Sequence, residues 1–147
     1  MHHVPVVGAA DYLGPAAAAL AFIAIMSMVK EPTRRHLNAI LMGGAGGVYL
    51  SGGGFGPWET IYPAASIPIA YAALSSYRFV AIGWLLHAGW DIVHHRFGNP
   101  IWPFMPTSSF GCMIFDAILA IWMFAGAPSW LPSRSIGREA VGADLSS

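Results

Sequence analysis

Residues 79–95 read FVAIGWLLHAGWDIVHH, an apolar stretch of helical length that also carries four ionisable side chains. At about 100° per residue, these side chains fall within a sector of about 100° on one face of a helix. They are His87, Asp91, His94 and His95. Ionisable groups are costly inside an apolar span and usually face the interior of a bundle, where they pair, bind an ion or move protons. The stretch therefore predicts a helix with one polar, interior face.

The composition of the whole chain indicates a membrane protein. Of its 147 residues, 56% are hydrophobic and only 10% are charged, against about 25% charged residues in an ordinary soluble protein. A soluble domain of this size cannot bury so much apolar surface, which excludes a disordered chain and a soluble enzyme. Seven cationic and seven anionic residues leave no basic patch for nucleic acid. The single cysteine, Cys112, excludes an internal disulfide and a cysteine-only metal site, and we expect it to be a small packing residue.

Charged residues divide the chain into apolar stretches close to the length of a membrane-spanning helix, about 20 residues. The sequence therefore predicts an all-α fold, an integral membrane bundle of five transmembrane helices. They are expected at residues 13–29, 36–50, 59–76, 79–95 and 109–127. A single five-helix domain would cover residues 1–131, and residues 132–147 would form a polar cytoplasmic tail.

The cationic residues indicate how the bundle is oriented. If five spans alternate in direction, six of the seven Lys and Arg residues lie on one side of the membrane, and Arg96 alone lies on the other. The six are Lys30, Arg34, Arg35, Arg78, Arg134 and Arg138. Because an excess of cations marks the cytoplasmic side, we expect a multi-pass protein of the cell membrane with its N-terminus outside and its C-terminus in the cytoplasm.

The same topology gathers carboxylates and imidazoles in the outer half of the bundle. Glu59 begins the third helix, and Asp116 lies about two turns into the fifth. We expect a metal ion bound by the polar face of the fourth helix, with Glu59 and Asp116 as catalytic residues. The expected metal ligands are His87, Asp91, His94 and His95. A mixed set of imidazoles and carboxylates suits a divalent transition metal, zinc or iron, better than calcium.

Simpler interpretations remain open for the same residues. His87 and Asp91 could form a hydrogen-bonded pair that holds two helices together. Glu59 could complement the positive end of a helix dipole, and Asp116 could pair with Arg96 or with a serine. These interpretations explain the residues one at a time, but not their gathering on one side of the membrane.

The segment FGNPIWPFMPTS, residues 97–108, has three prolines and cannot form a regular helix. It is nevertheless apolar, and we expect it to form a re-entrant or interfacial cap over the polar site. Trp58, Trp102 and Phe104 would then lie at the depth of the lipid headgroups, as aromatic belts do. An apolar cap over a polar site favours a substrate that arrives from the lipid.

Three stretches resemble a known family. They are GGGFGPWE at residues 52–59, YRFVAIGWLLHAGWDIVHH at residues 77–95, and GNPIWPFMPTSSFGC at residues 98–112, followed by Asp116. Together they are similar to a family of small bacterial and fungal integral membrane proteins classed only as a domain of unknown function. The resemblance covers about residues 36–128 and implies a multi-span fold. It implies no activity.

The function predicted from these observations is a metal-dependent membrane enzyme, a hydrolase or an oxidoreductase, that acts on a lipid-like or apolar substrate. Two other classes stay open: a metal-binding, haem-binding or transport protein without enzymatic activity, and a structural subunit of a membrane complex. The expected partners are membrane lipid, a lipid-soluble small molecule and, for an oligomer or a larger complex, other membrane chains. Nucleic acid is not expected.

Overall fold

The computed structural model describes residues 4–129 and is all-α in that part of the chain, with no regular β-strand. The five predicted helices are present, and their ends differ from the predicted ones by a few residues. They are α1 (Ala9–Ser27), α2 (Thr33–Ala45), α3 (Ile61–Ala73), α4 (Tyr77–Phe97) and α5 (Ser108–Phe124), and a 3₁₀-helix, Gly56–Thr60, leads into α3. The predicted tail, residues 132–147, lies outside the described residues.

The five helices differ in their capacity to cross a membrane. Among residues 4–129, α1 alone is both long and apolar enough, and α5 is apolar but shorter. Helices α2 and α3 have 13 residues each, which at 1.5 Å per residue is about 20 Å, against a hydrocarbon core of about 30 Å. Helix α2 is short for a local reason. The glycine-rich run at residues 43–47 ends the helix, and the backbone continues as hydrogen-bonded turns to residue 53.

Contacts between loops place the helix ends at two opposite ends of the bundle. At the cationic end, residues 28–35 and 74–78, Arg35 Nε donates to the Leu74 carbonyl at 2.9 Å. At the loop end, residues 46–60 and 98–107, Asn99 Nδ2 donates to the Gly52 carbonyl at 2.8 Å. The helices therefore alternate in direction. Lys30, Arg34, Arg35 and Arg78 lie at the cationic end, and Arg96 lies near the loop end.

The interior changes character along the bundle. Near the cationic end it is an apolar core that includes Ile23, Val80, Trp84, Leu119 and Met123. Toward the loop end the buried side chains are polar and include Glu59, His87, Asp91, His94 and Asp116. Large apolar side chains face outward instead, for example Ile67 (69% exposed), Tyr71 (80%) and Ile121 (70%). The buried carboxylates and imidazoles thus lie inside the bundle, in the half next to the loop end.

A hydrogen-bonded group at the cationic end makes stability depend on pH. Glu31 Oε1 accepts from Tyr77 Oη at 2.5 Å and from Arg34 Nε at 2.9 Å. Partial burial by itself would raise the pKa of Glu31, but the hydrogen bonds from Tyr77 and Arg34 hold this pKa below its ordinary value of 4.5. A pKa that is lower in the folded state stabilises the protein above the unfolded-state value, and this contribution is lost as the pH falls through the folded-state pKa.

We therefore expect the unfolding temperature in detergent to fall as the pH is lowered below about 4.5, and to fall less in Tyr77→Phe. The phenol is the donor that the variant removes, so the difference between the two pH profiles isolates its contribution. Parallel profiles for wild type and Tyr77→Phe would contradict the assignment of this group.

Candidate metal centre

Two neighbouring helices each contribute a pair of ligand-type side chains, spaced by one helical turn. Helix α4 carries His87 and Asp91, and α5 carries Cys112 and Asp116, so each pair lies at positions i and i+4 on one face. One ligand atom from each of these four residues lies within 4.8 Å of the others. His87, Asp91 and Asp116 are buried and Cys112 is half-buried. We call these four residues the four-residue cluster.

The hydrogen bonds of His87 fix the orientation of its ring. Nε2 lies 3.0 Å from the Ala45 carbonyl, and because a carbonyl can only accept, Nε2 must carry a hydrogen. Nδ1 therefore faces the carboxylates, at 2.5 Å from Asp116 Oδ2 and 3.5 Å from Asp91 Oδ2. One proton lies between Nδ1 and Asp116. A histidine whose outer nitrogen donates to a backbone carbonyl is oriented as metal-binding histidines usually are.

Two carboxylate oxygens in the cluster have no hydrogen-bond donor. Asp91 Oδ2 and Asp116 Oδ1 are buried, and neither accepts a hydrogen bond of ordinary geometry among residues 4–129; His87 Nδ1 lies 3.5 Å from Asp91 Oδ2. With both carboxylates ionised and His87 protonated, the buried group would carry one net negative charge. Unpaired buried charge of this kind is strongly unfavourable. A proton on one carboxylate would remove this excess charge, and a cation bound between the two aspartates would remove it and also satisfy the unpaired oxygens.

Tyr49 is a further member of the site that sequence patterns do not indicate. Its hydroxyl donates to Asp91 Oδ1 at 2.7 Å, and the residue is 2% exposed. Tyr49 lies in the turns after α2, where no helical periodicity exists to assign it a face. Cys112, expected to be a packing residue, has its Sγ 3.9 Å from Asp116 Oδ2. In the sequence, the spacing of four residues between Cys112 and Asp116 is the signal that places both side chains on one face of α5.

Glu59 and His94 form a separate buried pair. His94 Nε2 lies 3.1 and 3.0 Å from the two carboxylate oxygens of Glu59, and its Nδ1 lies 3.0 Å from the Trp90 carbonyl. Both ring nitrogens thus face acceptors, which favours an imidazolium ring against a carboxylate. The backbone of Gly53 packs against this pair so closely that a Cβ there would overlap both side chains.

Tyr49 connects the Glu59–His94 pair to the four-residue cluster. Its ring stacks on the His94 ring with centroids 3.5 Å apart and planes 15° apart, while its hydroxyl bonds to Asp91 on the other side. A protonated imidazole against the face of a phenol ring is an attractive contact of the cation–π type. The Glu59–His94 pair therefore holds Tyr49 in place.

The structure divides the predicted site residues into three groups. His87 and Asp91, expected ligands, and Asp116, expected to be catalytic, are together in the four-residue cluster. His94, an expected ligand, is instead paired with Glu59, which was expected to be catalytic. His95 lies elsewhere, with its ring 5.3 Å from that of Phe110.

A cavity of about 310 Å³ lies at the loop end. We call it the access cavity. It is lined by Val48, Tyr49 and Gly53 from one loop and by Asn99, Ile101 and Pro103 from the other. A second cavity, of about 440 Å³, is lined by Val7, His95, Arg96, Phe110 and Met113 among others. The access cavity is the one that contains a residue hydrogen-bonded to the cluster.

A comparison with protein families finds one matching family model, described as a family of unknown function (DUF6010), over residues 10–129. The match includes the stretches that resemble a domain of unknown function. No curated protein and no solved structure matches the chain.

Proposed function

The chain belongs to the DUF6010 family, whose function is unknown, and we propose that it is a five-span membrane protein that binds a divalent transition-metal ion and uses it to act on an apolar or lipid-like substrate. One observation carries this proposal: four ligand-type atoms, from the four-residue cluster, lie within 4.8 Å of one another inside the bundle. Protein metal sites are built from these side-chain types at such separations.

The distribution of side chains supports a membrane location. Apolar side chains such as Ile67 and Ile121 face outward from a bundle whose interior is partly polar. This arrangement is stable when lipid surrounds the bundle. Trp58, Trp102 and Phe104 are exposed at the loop end, where an aromatic belt is expected. The cations of the opposite end would face the cytoplasm, so the metal ion would lie in the outer half of the membrane.

The ligand types favour zinc or iron. A thiolate and an imidazole beside two carboxylates form a mixed set that borderline transition metals prefer, whereas magnesium and calcium prefer oxygen ligands alone. His87 would bind through Nδ1, and the Ala45 carbonyl would orient its ring. Asp91 and Asp116 would supply the two oxygens that lack donors.

An enzyme accounts for the surroundings of the cluster better than a transporter does. A transporter needs a path to both faces of the membrane, but the interior between the cluster and the cationic end is the apolar core that includes Trp84 and Leu119. The access cavity is lined by residues of the two loops at the loop end. A bound divalent ion would polarise a substrate oxygen as a Lewis acid. Glu59 and His94 would act as positioning residues, since they face each other rather than the cluster.

Haem binding is disfavoured by the histidines of the interior. His87 and His94 are no more than 1% exposed, and neither of them lines the access cavity or the second cavity, so neither of these cavities could place a porphyrin against their rings. A purely structural role for the cluster, as a lock between α4 and α5, predicts hydrogen bonds without metal. Whether the purified protein binds an ion distinguishes this structural role from a metal site.

We expect Co²⁺ added to the metal-free, detergent-purified protein to bind at about one ion per chain and to produce a cobalt–thiolate charge-transfer band. Cys112→Ser should abolish this band, because Cys112 is the only cysteine in the chain. Metal ligands bind deprotonated, so binding should release about two protons, from the thiol and from the His87–Asp116 contact, and about one in the variant.

Met113→Leu is the matched control, because it removes the neighbouring sulfur on α5, which lines the second cavity. It should leave both the band and the proton count unchanged. Binding without the charge-transfer band would remove Cys112 from the ligand set. A wild-type protein that binds neither Co²⁺ nor Zn²⁺ would overturn the proposed function.

A further inference from the structure

A metal site inside the bundle needs a route by which the ion arrives. His87, Asp91 and Asp116 are each no more than 1% exposed. Toward the cationic end the interior is closed by apolar side chains, among them Trp84 and Leu119. No member of the four-residue cluster lines either cavity. The access cavity, however, is lined by Tyr49, which is hydrogen-bonded to Asp91 of the cluster.

Tyr49 is the barrier between the access cavity and the cluster. Of the residues that line this cavity, all within the described part of the chain, Tyr49 alone is hydrogen-bonded to a cluster residue. Its hydroxyl occupies Asp91 Oδ1 at 2.7 Å. The oxygen that would bind an ion, Asp91 Oδ2, belongs to the same carboxylate, so a cation that arrives from the access cavity has to pass the Tyr49 side chain to reach it.

The backbone around Tyr49 is suited to such a movement. Tyr49 lies outside the helices, in the turns between α2 and the 3₁₀-helix, with Gly47 before it and Gly52 and Gly53 after it. Turns rich in glycine change their dihedral angles at little steric cost. Two side-chain contacts oppose the movement: the hydrogen bond to Asp91 and the stacking of the ring on His94 at 3.5 Å. The Tyr49 carbonyl also accepts from the amides of Gly52 and Gly53, so a movement of the side chain alone is the easier one.

We propose that divalent cations reach the four-residue cluster through the access cavity and that Tyr49 is the gate, closed by its hydrogen bond to Asp91 and by its stacking on His94. This inference rests on the proposed function, because it assumes that the cluster binds an ion. It adds a route, a direction and a gating residue. The ion arrives from the loop end, and the Glu59–His94 pair acts on metal exchange through Tyr49.

The test measures the rates of Zn²⁺ uptake and release by the full-length, metal-free protein in detergent, with a zinc indicator and stopped flow. Tyr49→Ala removes both closing contacts, and we expect uptake and release to be faster by about tenfold or more, the factor expected from loss of a hydrogen bond to a charged group. Tyr49→Phe keeps the ring and should give a smaller increase. The stoichiometry should be unchanged in both.

Filling the cavity tests the route without altering the gate. Ile101 lines the access cavity, and Ile101→Trp should slow uptake by about tenfold or more while the stoichiometry is kept. Val7→Trp fills the second cavity instead and should leave the rates unchanged.

The possible outcomes separate this inference from the proposed function. A wild-type protein that binds no Zn²⁺ overturns the proposed function. If the wild type binds Zn²⁺ at the same rate as Ile101→Trp and Tyr49→Phe, the route and the gate are overturned, but the proposed function is not. If Tyr49→Ala does not fold, Ile101→Trp and Val7→Trp still decide the route, and Tyr49→Phe still decides the gate.

Discussion

Replacing His87 with alanine is expected to lower the zinc content of the purified protein from about one ion per chain to near zero. His87 is the imidazole of the four-residue cluster and contacts both aspartates. Loss of an outer-shell partner weakens metal binding by about 10–100-fold, so loss of a direct ligand should weaken it by more than about 100-fold. Elemental analysis of the detergent-purified protein measures the effect.

His95→Ala is the matched control, because His95 is also a histidine of α4 but is only partly buried and lies against Phe110, outside the cluster. It should retain the metal. Asp91→Asn preserves the size of the side chain and should lose the metal even if His87→Ala folds poorly. Equal zinc content in wild type, His87→Ala and Asp91→Asn would contradict the assigned site.

The same proteins test whether the ion serves catalysis. We expect the zinc-loaded wild type, incubated with a membrane lipid extract in mixed micelles, to convert at least one lipid-soluble species, detected by mass spectrometry. The metal-free wild type and His87→Ala should convert none, since both lack the ion. Metal binding without any conversion would leave the site intact and reject the enzymatic part of the proposal.

Glu59→Ala is expected to destabilise the protein by about 3–5 kcal/mol, the cost of removing one partner of a buried ion pair. Both oxygens of Glu59 face His94 Nε2, and His94 is completely buried. The variant would leave the imidazole without a carboxylate and the Phe55 amide without its acceptor. Chemical unfolding in mixed micelles measures the free energy of unfolding.

Glu31→Ala is the comparison for this prediction, because Glu31 also forms an ion pair but is partly exposed, at 42% of its side chain. Exposed pairs contribute about 0–1 kcal/mol, so the two glutamates should differ clearly. If Glu59→Ala and Glu31→Ala have the same effect, the Glu59–His94 contact is not the buried ion pair described above.

Much of the helical architecture could be predicted, because apolar stretches bounded by charged residues indicate which segments form apolar helices. The five helices and their alternating directions follow from this pattern, and the loop contacts of Arg35 and Asn99 agree with it. The lengths of α2 and α3 could not be predicted in the same way. Residues 36–50 contain no Asp, Glu, Lys or Arg, but the glycines at residues 43–47 end α2 before this stretch is complete.

The candidate site was predictable only in part, because helical periodicity assigns side chains to a face within one helix but not to partners on another. The face of α4 that carries His87, Asp91 and His94 is buried as the spacing predicts. The spacing could not show that His94 turns to Glu59 while His87 turns to Asp116, since both histidines share that face. These two partners come from different segments, the 3₁₀-helix and α5.

The amino-acid sequence by itself determined which segments are helical, which residues are ionisable within apolar surroundings, and at which end of the bundle they gather. These features depend on residue type and on the 3.6-residue period, both of which are local. Only the tertiary structure decided which ionisable groups meet, that Cys112 joins them, and that Tyr49 stands between the cluster and the access cavity. The reason is that contacts between side chains from different helices depend on how the helices pack and rotate, and on loops such as residues 46–53 that have no repeating pattern.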